Sequence, residues 1–290
     1  MNTKNRILVI GGTGSWGQAL VRYLLDSDDS LHNEITIFSR AERTQYEMKE
    51  SFKDSRLRFE IGDVRDEERL AEVIPGHSII FYLAALKHVP VCEDQPFETF
   101  KTNVQGVENA LKVVSQHEDS IFKFIYLSTD KAVEPVNTYG ISKAMAERFV
   151  EYYHNKSKTT HYQIVRTGNI LGSNGSIFNK WVTLAKEGKP LQLTDRMMTR
   201  YMSTLSNMIP VLAGIIYCKR ELINILPMKS FYVSDLATII ANQYGSRVEV
   251  VGLREGERMF EKMDHLHNSS FPEERGTKDE LYELIKDMLV

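Results

Sequence analysis

Five side chains that can donate or accept protons lie within fifteen residues in the middle of the chain. Thr129-Asp130-Lys131 places a hydroxyl, a carboxylate and an amine in succession, and Tyr139-Gly-Ile-Ser-Lys143 follows. Residues four apart on a helix share a face, which predicts that Tyr139 and Lys143 lie together. An ammonium beside the phenol would lower the pKa of Tyr139 and make it a better base near neutral pH. The set suits hydride transfer combined with removal of a carbon-bound proton and expulsion of water.

A glycine-rich turn near the N-terminus predicts a nucleotide site. The apolar run Arg6–Ile10 indicates a buried strand, and the pattern from Gln18 to Leu25 indicates a helix. A glycine turn between a strand and a helix is the context that a dinucleotide fingerprint requires, because backbone can then approach a pyrophosphate at the helix N-terminus. A plain connecting turn is the less favoured alternative. The residues predicted to bind the cofactor here are Gly11, Thr13, Gly14, Ser15, Trp16 and Gly17.

Strand and helix patterns alternate along the first 170 residues. Further apolar runs predict strands at 35–38, 57–61, 78–83, 122–127 and 161–165. This alternation predicts an α/β fold, a Rossmann-like doubly wound parallel sheet. Ligands bind at the carboxyl ends of such strands. The polar or small residues at those ends are Gly11, Ser39, Asp63, Ala84, Ser128 and Asn169.

The pattern changes after Asn169. Residues 177–205 show no clear alternation, 222–226 predicts one more strand, and 233–241 predicts a helix capped by Ser234 or Asp235. We therefore predict a dinucleotide-binding domain with the catalytic residues at 1–170. Residues 171–290 are predicted to form a smaller, mainly substrate-binding region that is interleaved with the sheet.

Composition narrows the classes of partner. The 290 residues are 42% hydrophobic and carry a formal net charge of −3, with a pI near 6.3. These values argue against a nucleic-acid or membrane partner. The sequence begins without a signal-peptide pattern and has no run as long as a membrane helix, which predicts a cytoplasmic protein. Cys92 and Cys218 fit no metal or disulfide pattern and are predicted to serve in packing.

The residue after the second strand bears on the choice of cofactor. Ser39-Arg40 occupies the place where NAD enzymes carry a carboxylate for the ribose hydroxyls. Arginine can pair with a 2′-phosphate, which favours NADP over NAD. A solvated surface arginine is the alternative explanation.

Several segments together resemble the extended short-chain dehydrogenase/reductase superfamily, and within it the soluble UDP-N-acetylglucosamine 4,6-dehydratases that invert C5 in polysaccharide and amino-sugar pathways. The Thr-Asp-Lys at 129–131 replaces the Thr-Asp-Glu of related dehydratases. Ile10 and Asn174 depart from the family, which tends to have threonine and arginine there, and the chain ends sooner than usual. The segments that carry the resemblance are Gly11–Gly17, Phe38–Glu42, Ile61–Asp66, Ala84–Pro90, Lys101–Asn103, Ser128–Ala132, Tyr139–Lys143, Arg166–Asn169, Thr194–Arg200 and Arg254–Arg258.

The resemblance implies further site residues and a homo-oligomer, dimer or hexamer, that acts on a UDP-sugar. The implied cofactor-binding residues, with Ser39 and Arg40, are Asp63, Val64, Ala84, Ala85, Lys87, Asn103, Tyr139 and Lys143. The implied substrate-binding residues are Lys87, Asn169, Thr194, Arg200, Arg254 and Glu257.

The implied reaction begins at the sugar O4. Tyr139, beside Lys143, removes the O4 proton while Thr129 hydrogen-bonds that oxygen, and hydride leaves C4. Lys131 then removes the C5 proton, Asp130 protonates the departing O6 hydroxyl, and hydride returns at C6. A sugar 4-epimerase or 4-reductase needs only the Tyr/Lys pair, so Asp130 and Lys131 argue against both. An NADP-binding sensor is the non-enzymatic alternative, and the intact pair argues against it.

Overall fold

The computed structural model describes residues 5–27, 32–218, 221–253 and 256–289. The strands are β1 (Asn5–Ile10), β2 (His32–Ser39), β3 (Leu57–Ile61), β4 (Ile79–Tyr82), β5 (Lys123–Leu127), β6 (His161–Arg166), β7 (Asn169–Leu171), β8 (Leu191–Leu193), β9 (Thr199–Thr204), β10 (Ile223–Ile225), β11 (Lys229–Tyr232) and β12 (Val248–Val250). The α-helices are α1 (Ser15–Asp26), α2 (Glu42–Phe52), α3 (Glu67–Val73), α4 (Val89–Asp94), α5 (Pro96–Phe100), α6 (Gly106–Gln116), α7 (Thr138–Lys156), α8 (Ile177–Lys186), α9 (Leu205–Gly214), α10 (Val233–Tyr244) and α11 (Lys278–Ile285). Single turns of other helix types lie at Lys101–Gln105 (π) and at Asp130–Ala132, Ile215–Tyr217, Pro272–Glu274 and Lys286–Met288 (3₁₀).

A parallel sheet forms the centre of the molecule. Within the described residues it has seven strands in the order β10-β6-β5-β4-β1-β2-β3, and each neighbouring pair is parallel. Helices cover both faces, which is why the β1 residues 7–10 are all fully buried. Ile7 and Val9 face α1 and α9, whereas Leu8 and Ile10 face α6 and α7. The predicted doubly wound parallel fold is confirmed.

The C-terminal part builds a second core and also returns to the main sheet. In the described part of this region, β11, β9 and β7 form one small sheet and β12 pairs with β8. Apolar residues of α8, α10 and α11 pack against them. Strand β10 joins the main sheet beside β6, so the interleaving predicted from sequence is present. The exact division at residue 170 stays a prediction.

Two local predictions are wrong. Helix α10 begins at Val233 after Tyr232, and among the described residues no side chain caps it. The Ser234 hydroxyl instead donates to the Arg196 carbonyl. Cys92 is buried as expected, but Cys218 is exposed and so does not serve in packing.

A buried lysine joins β5 to the chain after α9. Lys123 has no exposed surface, and its ammonium donates to the carbonyls of Ile215, Ile216 and Cys218 at 2.7–2.8 Å. These carbonyls belong to the last helical turn and its end, where intrahelical donors run out. Lys123 therefore caps that turn from inside the protein.

Across the described ranges, none of the helices combines the length and apolar composition that crossing a membrane requires.

Candidate active site

The glycine turn between β1 and α1 packs directly against the backbone that follows β4. Gly11 has φ +83°, and a Cβ there would lie 2.6 Å from the Ala84 nitrogen. A Cβ at Gly17 would lie 2.5 Å from the Gly12 Cα, so α1 starts in close contact with the turn. Gly14 precedes α1, and in the described chain no side chain caps the helix. Its first N–H groups are available to an anion, which fits the pyrophosphate of a dinucleotide.

A cavity of about 240 Å³, here called the glycine-turn cavity, continues from this turn to the end of β2. Arg40 lies half-exposed in its wall, with Nη1 3.5 Å from Asp63 Oδ2. Asp63 is bound more closely by Arg65, at 2.6 Å. Burial raises the pKa of Asp63, but the hydrogen bonds and charge of Arg65, with the charge of Arg40, outweigh it and leave that pKa lowered. The predicted residues in this wall are Gly11, Thr13, Gly14, Ser39, Arg40, Val64, Ala84 and Ala85.

A second cavity of about 280 Å³, here called the inner cavity, lies at the ends of β4 and β5. Four of the five predicted catalytic residues line it, and Asp130 lies fully buried behind them. The Thr129 hydroxyl donates to Asp130 Oδ1 at 2.9 Å. Predicted site residues in its wall are Trp16, Ala85, Lys87, Thr129, Lys131, Tyr139, Lys143 and Asn169.

Tyr139 and Lys143 share one face of α7, as predicted, but their electrostatics differ from the prediction. The Lys143 amine donates to the Leu127 carbonyl at 2.7 Å and lies 4.1 Å from the Tyr126 ring centroid. Burial lowers the pKa of Lys143 to about 7, partly offset by the charge of Glu147. Desolvation in the cavity raises the pKa of Tyr139 to about 12, opposed by the charge of Lys131 and a Thr129 hydrogen bond. The prediction that Lys143 lowers this pKa is wrong, because its amine is directed to Leu127 and Tyr126.

Three oxygens surround the Lys131 ammonium. They are Asp130 Oδ1 at 3.0 Å, Asn169 Oδ1 at 3.3 Å and Glu261 Oε1 at 3.4 Å. Burial alone would lower the pKa of Lys131, but the charges of Asp130 and Glu261 outweigh it and raise that pKa above its ordinary value. The resting lysine is therefore a cation. It needs a proton acceptor before it can act as a base.

A third and larger cavity of about 690 Å³, here called the outer cavity, adjoins the inner one. Lys131 and Asn169 line both cavities, so they stand at the junction. The remaining lining of the outer cavity is mostly polar or charged: Glu93, Asp94, Asn137, Arg200, Gly256, Glu257, Arg258 and Glu261, with Val89, Pro90 and Val136.

Three of the six residues predicted to bind substrate line this outer cavity: Asn169, Arg200 and Glu257. Thr194 donates to Glu257 at 3.2 Å, which brings two of them together. Arg200 lines the cavity, but its guanidinium donates to the carbonyls of residues 199, 258 and 259 at 2.7–3.2 Å. Its contact with a substrate phosphate stays a prediction. Lys87 lies in the inner cavity instead, and Arg254 falls outside the described residues.

Asn103 is held by protein groups on every side. Its Oδ1 accepts from the Leu86 N–H at 2.7 Å, and its Nδ2 donates to the Leu86 carbonyl and to Ser142 Oγ. It lies in the π-helical turn before α6, a feature that often marks functional sites. Asn103 thereby joins the end of β4 to the face of α7 next to Lys143, and a direct contact with cofactor stays a prediction.

A loop crosses the mouth of the inner cavity. Residues 172–176 connect β7 to α8, and the Asn174 N–H donates to Ser15 Oγ at 3.0 Å. At the other side Gly175, with φ +72°, lies so close that an added Cβ would be 2.0 Å from the His88 ring. This crossing loop therefore spans from His88 to the glycine turn.

A buried ion pair fixes α7 against the C-terminal segment. Arg166 and Glu147 pair at 2.7 Å, and the Ser128 hydroxyl donates to the same carboxylate at 2.6 Å. The third guanidinium nitrogen of Arg166, Nη1, donates to the Met263 carbonyl at 2.8 Å. Arg166 therefore contacts both helix α7 and the segment that leads from residue 261.

Sequence reasoning missed Glu261 and several supports of the outer cavity. Asn137 caps α7 at the Gly140 N–H and also donates to the Gly256 carbonyl at 3.0 Å. The Arg258 guanidinium donates to the Val133 carbonyl at 3.0 Å. Asparagine is a preferred N-cap residue, so the sequence could have predicted that Asn137 caps this helix. Glu261 carries no local signal, because its partner is 130 residues away.

The sheet order, the glycine turn and the Tyr/Lys pair on α7 define an extended short-chain dehydrogenase/reductase fold. More specifically, the chain belongs to the family described as polysaccharide biosynthesis protein, whose model matches residues 7–278.

Curated relatives cover most of the chain. It is 36% identical over 267 residues to the UDP-N-acetylglucosamine 4,6-dehydratase (inverting) of Campylobacter jejuni, covering 91% of this chain and 78% of the relative. It is 37% identical to an uncharacterized membrane protein of Methanocaldococcus jannaschii (89% and 79% covered). It is 34% identical to the UDP-glucose 4-epimerase of Rickettsia canadensis (89% and 76% covered).

Solved structures share the fold. Pen from Bacillus thuringiensis superposes with a TM-score of 0.89 over 100% of both chains, at 26% identity. The dTDP-glucose 4,6-dehydratase DesIV from Streptomyces venezuelae, with NAD and TYD bound, has a TM-score of 0.79 at 24% identity, covering 88% of this chain and 86% of that one.

Proposed function

We propose that the protein is a nucleotide-sugar 4,6-dehydratase. It removes water from UDP-N-acetylglucosamine and gives UDP-4-keto-6-deoxy-N-acetylhexosamine with inversion at C5. The observation that carries the proposal is Lys131 at the junction of two cavities, in the same wall as Tyr139, with the buried Asp130 Oδ1 3.0 Å from its amine. Oxidation at C4 needs the tyrosine alone, whereas elimination also needs an acid and a base. Similarity to the Campylobacter dehydratase supports the same reaction.

A nicotinamide dinucleotide bound along the glycine turn would take hydride from C4 and return it at C6. Gly11 and the open first turn of α1 would hold its pyrophosphate. Arg40 is half-exposed, and within the described residues its guanidinium makes a 3.5 Å ion pair with Asp63, which leaves it able to meet a 2′-phosphate. We therefore propose NADP in preference to NAD.

Tyr139 removes the proton from the sugar O4. Its phenol has a raised pKa, so it depends on groups that favour the phenolate, which here are the Lys131 charge and the Thr129 hydrogen bond. Thr129 also has a hydroxyl in place to bond O4, since it lines the inner cavity beside Tyr139.

A proton transfer from Lys131 to Asp130 prepares the elimination. The two atoms are 3.0 Å apart, and the transfer gives a neutral amine and a protonated carboxyl together. The amine takes the C5 proton of the 4-keto sugar and the C5=C6 bond forms. Asp130 is buried behind the wall of the inner cavity, so its proton reaches the departing O6 through the Thr129 hydroxyl, which lines that cavity and lies 2.9 Å from Asp130 Oδ1, and O6 leaves as water. Both residues thereby return to their starting charges, so no external acid or base is consumed. A proton from solvent then adds to C5 from the opposite face and inverts that centre, while Tyr139 releases the O4 proton to solvent, so the only net loss from the sugar is one water.

The test is the reaction in heavy water followed by NMR. With UDP-N-acetylglucosamine, the wild type is expected to form the L-configured 4-keto-6-deoxy sugar with deuterium at C5, without consuming added NADP⁺. Tyr139→Phe should abolish all steps, whereas Lys131→Ala should retain cofactor binding but lose C5 exchange and water loss. A 4-epimer as product would favour the epimerase alternative. Stoichiometric NADPH would indicate a simple dehydrogenase, and a D-configured product a retaining dehydratase.

We also propose that the chain forms a homo-oligomer. Ile141 and Met145 are exposed one turn apart on α7, and Phe97 on α5 is 81% exposed. Phenylalanine and methionine are enriched in subunit contacts relative to the rest of a protein surface. Light scattering of the purified protein, compared with Ile141→Glu, tests the assembly, and a wild-type monomer would contradict it.

A further inference from the structure

Glu261 is a buried carboxylate that the reaction described above does not use. It is 3% exposed and lines the outer cavity beside Lys131 and Asn169. Its Oε1 lies 3.4 Å from Lys131 Nζ and 3.7 Å from Arg200 Nε. Within the described residues its Oε2 is buried without a hydrogen-bond partner. A buried anion at a catalytic lysine calls for a reason, because burying a charge is costly unless it is paired.

The backbone around Glu261 is fixed. Its N–H donates to Ser269 Oγ at 2.8 Å, and the Ser269 N–H donates back to its carbonyl at 2.9 Å. Two residues later Arg166 binds the Met263 carbonyl. The backbone that carries the carboxylate is therefore held in place independently of Lys131, and the carboxylate itself has a second cationic neighbour in Arg200.

The number of N–H donors on Lys131 equals the number of acceptor oxygens around it. An ammonium group carries three N–H donors, and Lys131 meets one oxygen each from Asp130, Asn169 and Glu261. Asp130 and Glu261 come from different elements and approach from separate parts of the chain. Without Glu261, the ammonium would have one N–H donor to spare and would be held, among the described residues, by Asp130 after β5 and Asn169 on β7.

We propose that Glu261 is a positioning residue for Lys131. It holds the ammonium at the junction of the inner and outer cavities, and it keeps the proton on the lysine until Asp130 takes it. This inference rests on the proposed dehydratase function, in which Lys131 acts on C5.

Among the described residues, Lys131 shares its two cavities with Lys87, His88 and Lys143 on the inner side and with Glu93, Asp94, Glu257 and Arg258 on the outer side, and four other groups act on it directly. They are Asp130 on its own turn, Glu261 on the segment after β12, Arg200 on β9 and Tyr139 on α7. With Lys131 included, the charges of the two carboxylates and the two cations sum to zero. Removing the Glu261 charge leaves a net positive cluster, and the lysine then releases its proton at lower pH.

The experiment compares Glu261→Gln, which keeps the shape of the side chain and removes its charge, with wild-type holoenzyme. The pH profile of C5 hydrogen–deuterium exchange is expected to move to lower pH by about 1–3 units, the usual effect of an opposite charge at this distance. KM for UDP-N-acetylglucosamine should change little. Glu261→Asp retains the charge at a greater distance and should move the profile less, in the same direction. Glu273→Gln, at an exposed carboxylate, is the matched control and should leave the profile unchanged.

A second measurement does not need turnover. The Lys131 amine is titrated by NMR in holoenzyme labelled at lysine 13Cε and assigned with Lys131→Arg. If this titration and the exchange profile of folded Glu261→Gln both match wild type, the inference is wrong. Should Glu261→Gln not fold, an unshifted Lys131 titration in Glu261→Asp overturns it. If the titration shifts but wild type makes no 6-deoxy sugar, the positioning role stands and the proposed function fails.

Discussion

Lys143 should make the free energy of unfolding of the apoprotein increase with pH. Burial lowers its pKa from 10.5 to about 7, and the side chain is 3% exposed, so solvent does little to screen this effect. Between these two values the unfolded chain carries a proton on Lys143 that the folded chain lacks. Stability therefore rises with pH across this window, because the unfolded state binds more protons. Below about pH 7 the folded lysine is protonated too, and the dependence ends.

The magnitude follows from the width of the window. Each pH unit contributes about 1.36 kcal/mol, so the step from pH 7.5 to 9.5 corresponds to roughly 2–3 kcal/mol. Other groups titrate over the same range, so the informative quantity is a difference. The free energy of unfolding of the wild type, minus that of Lys143→Met, should increase by this amount between the two pH values.

Urea unfolding of both proteins at pH 7.5 and 9.5 measures this difference. Lys180→Met is the matched control, since Lys180 is exposed on α8 and stays in water when the chain folds. The free energy of unfolding of the wild type, minus that of Lys180→Met, should be the same at both pH values. If the Lys143→Met difference is also independent of pH, the buried lysine is not the proton-releasing group that its surroundings imply.

Three further predictions concern cofactor binding and folding. Arg40→Asp should shift the binding preference from NADP toward NAD, since one charge-assisted contact contributes roughly 1.5–3 kcal/mol, or tenfold or more in affinity. Fluorescence titration with both cofactors measures the two affinities. An unchanged ratio of affinities would show that Arg40 does not contact the 2′-phosphate. Gly17→Ala places a methyl group 2.5 Å from Gly12 and should weaken dinucleotide binding by calorimetry, with wild-type affinity as the contrary result. Lys123→Met should lower the free energy of unfolding by about 2–4 kcal/mol, because buried carbonyls lose their donor; an unchanged urea midpoint would mean that those carbonyls find other partners.

The main sheet was predictable because its strands have a local sequence pattern, a short run of apolar residues. The apolar run before Gly11 and the one before Ser128 are buried on both faces, and such strands need no information from elsewhere in the chain. Tyr139 and Lys143 were predictable for the same reason, since helical spacing alone places them together.

The electrostatics of the site were not predictable, because they depend on what surrounds each group. The Lys143 amine turns to the Leu127 carbonyl, a contact that helical spacing does not reveal. The Lys131 charge depends on Glu261, which is distant in the sequence but lies beside Lys131 in the fold. The predicted cap of α10 was wrong for a related reason, because the Ser234 hydroxyl donates to the carbonyl of the distant Arg196 and does not bond the helix end.

The loop that links Ser15 to His88 has a consequence for how often the cofactor leaves. A dehydrogenase must exchange its carrier with bulk solution after every reaction, so an obstructed exit would limit its rate. A dehydratase restores the carrier before the product departs, and nothing is lost when escape is slow. The Asn174 bond to Ser15 ties the loop to the start of α1, where we propose that the pyrophosphate binds, and this favours a long residence time. We therefore expect the protein to retain one dinucleotide through gel filtration and to perform many turnovers without exchanging it, as a prosthetic group does.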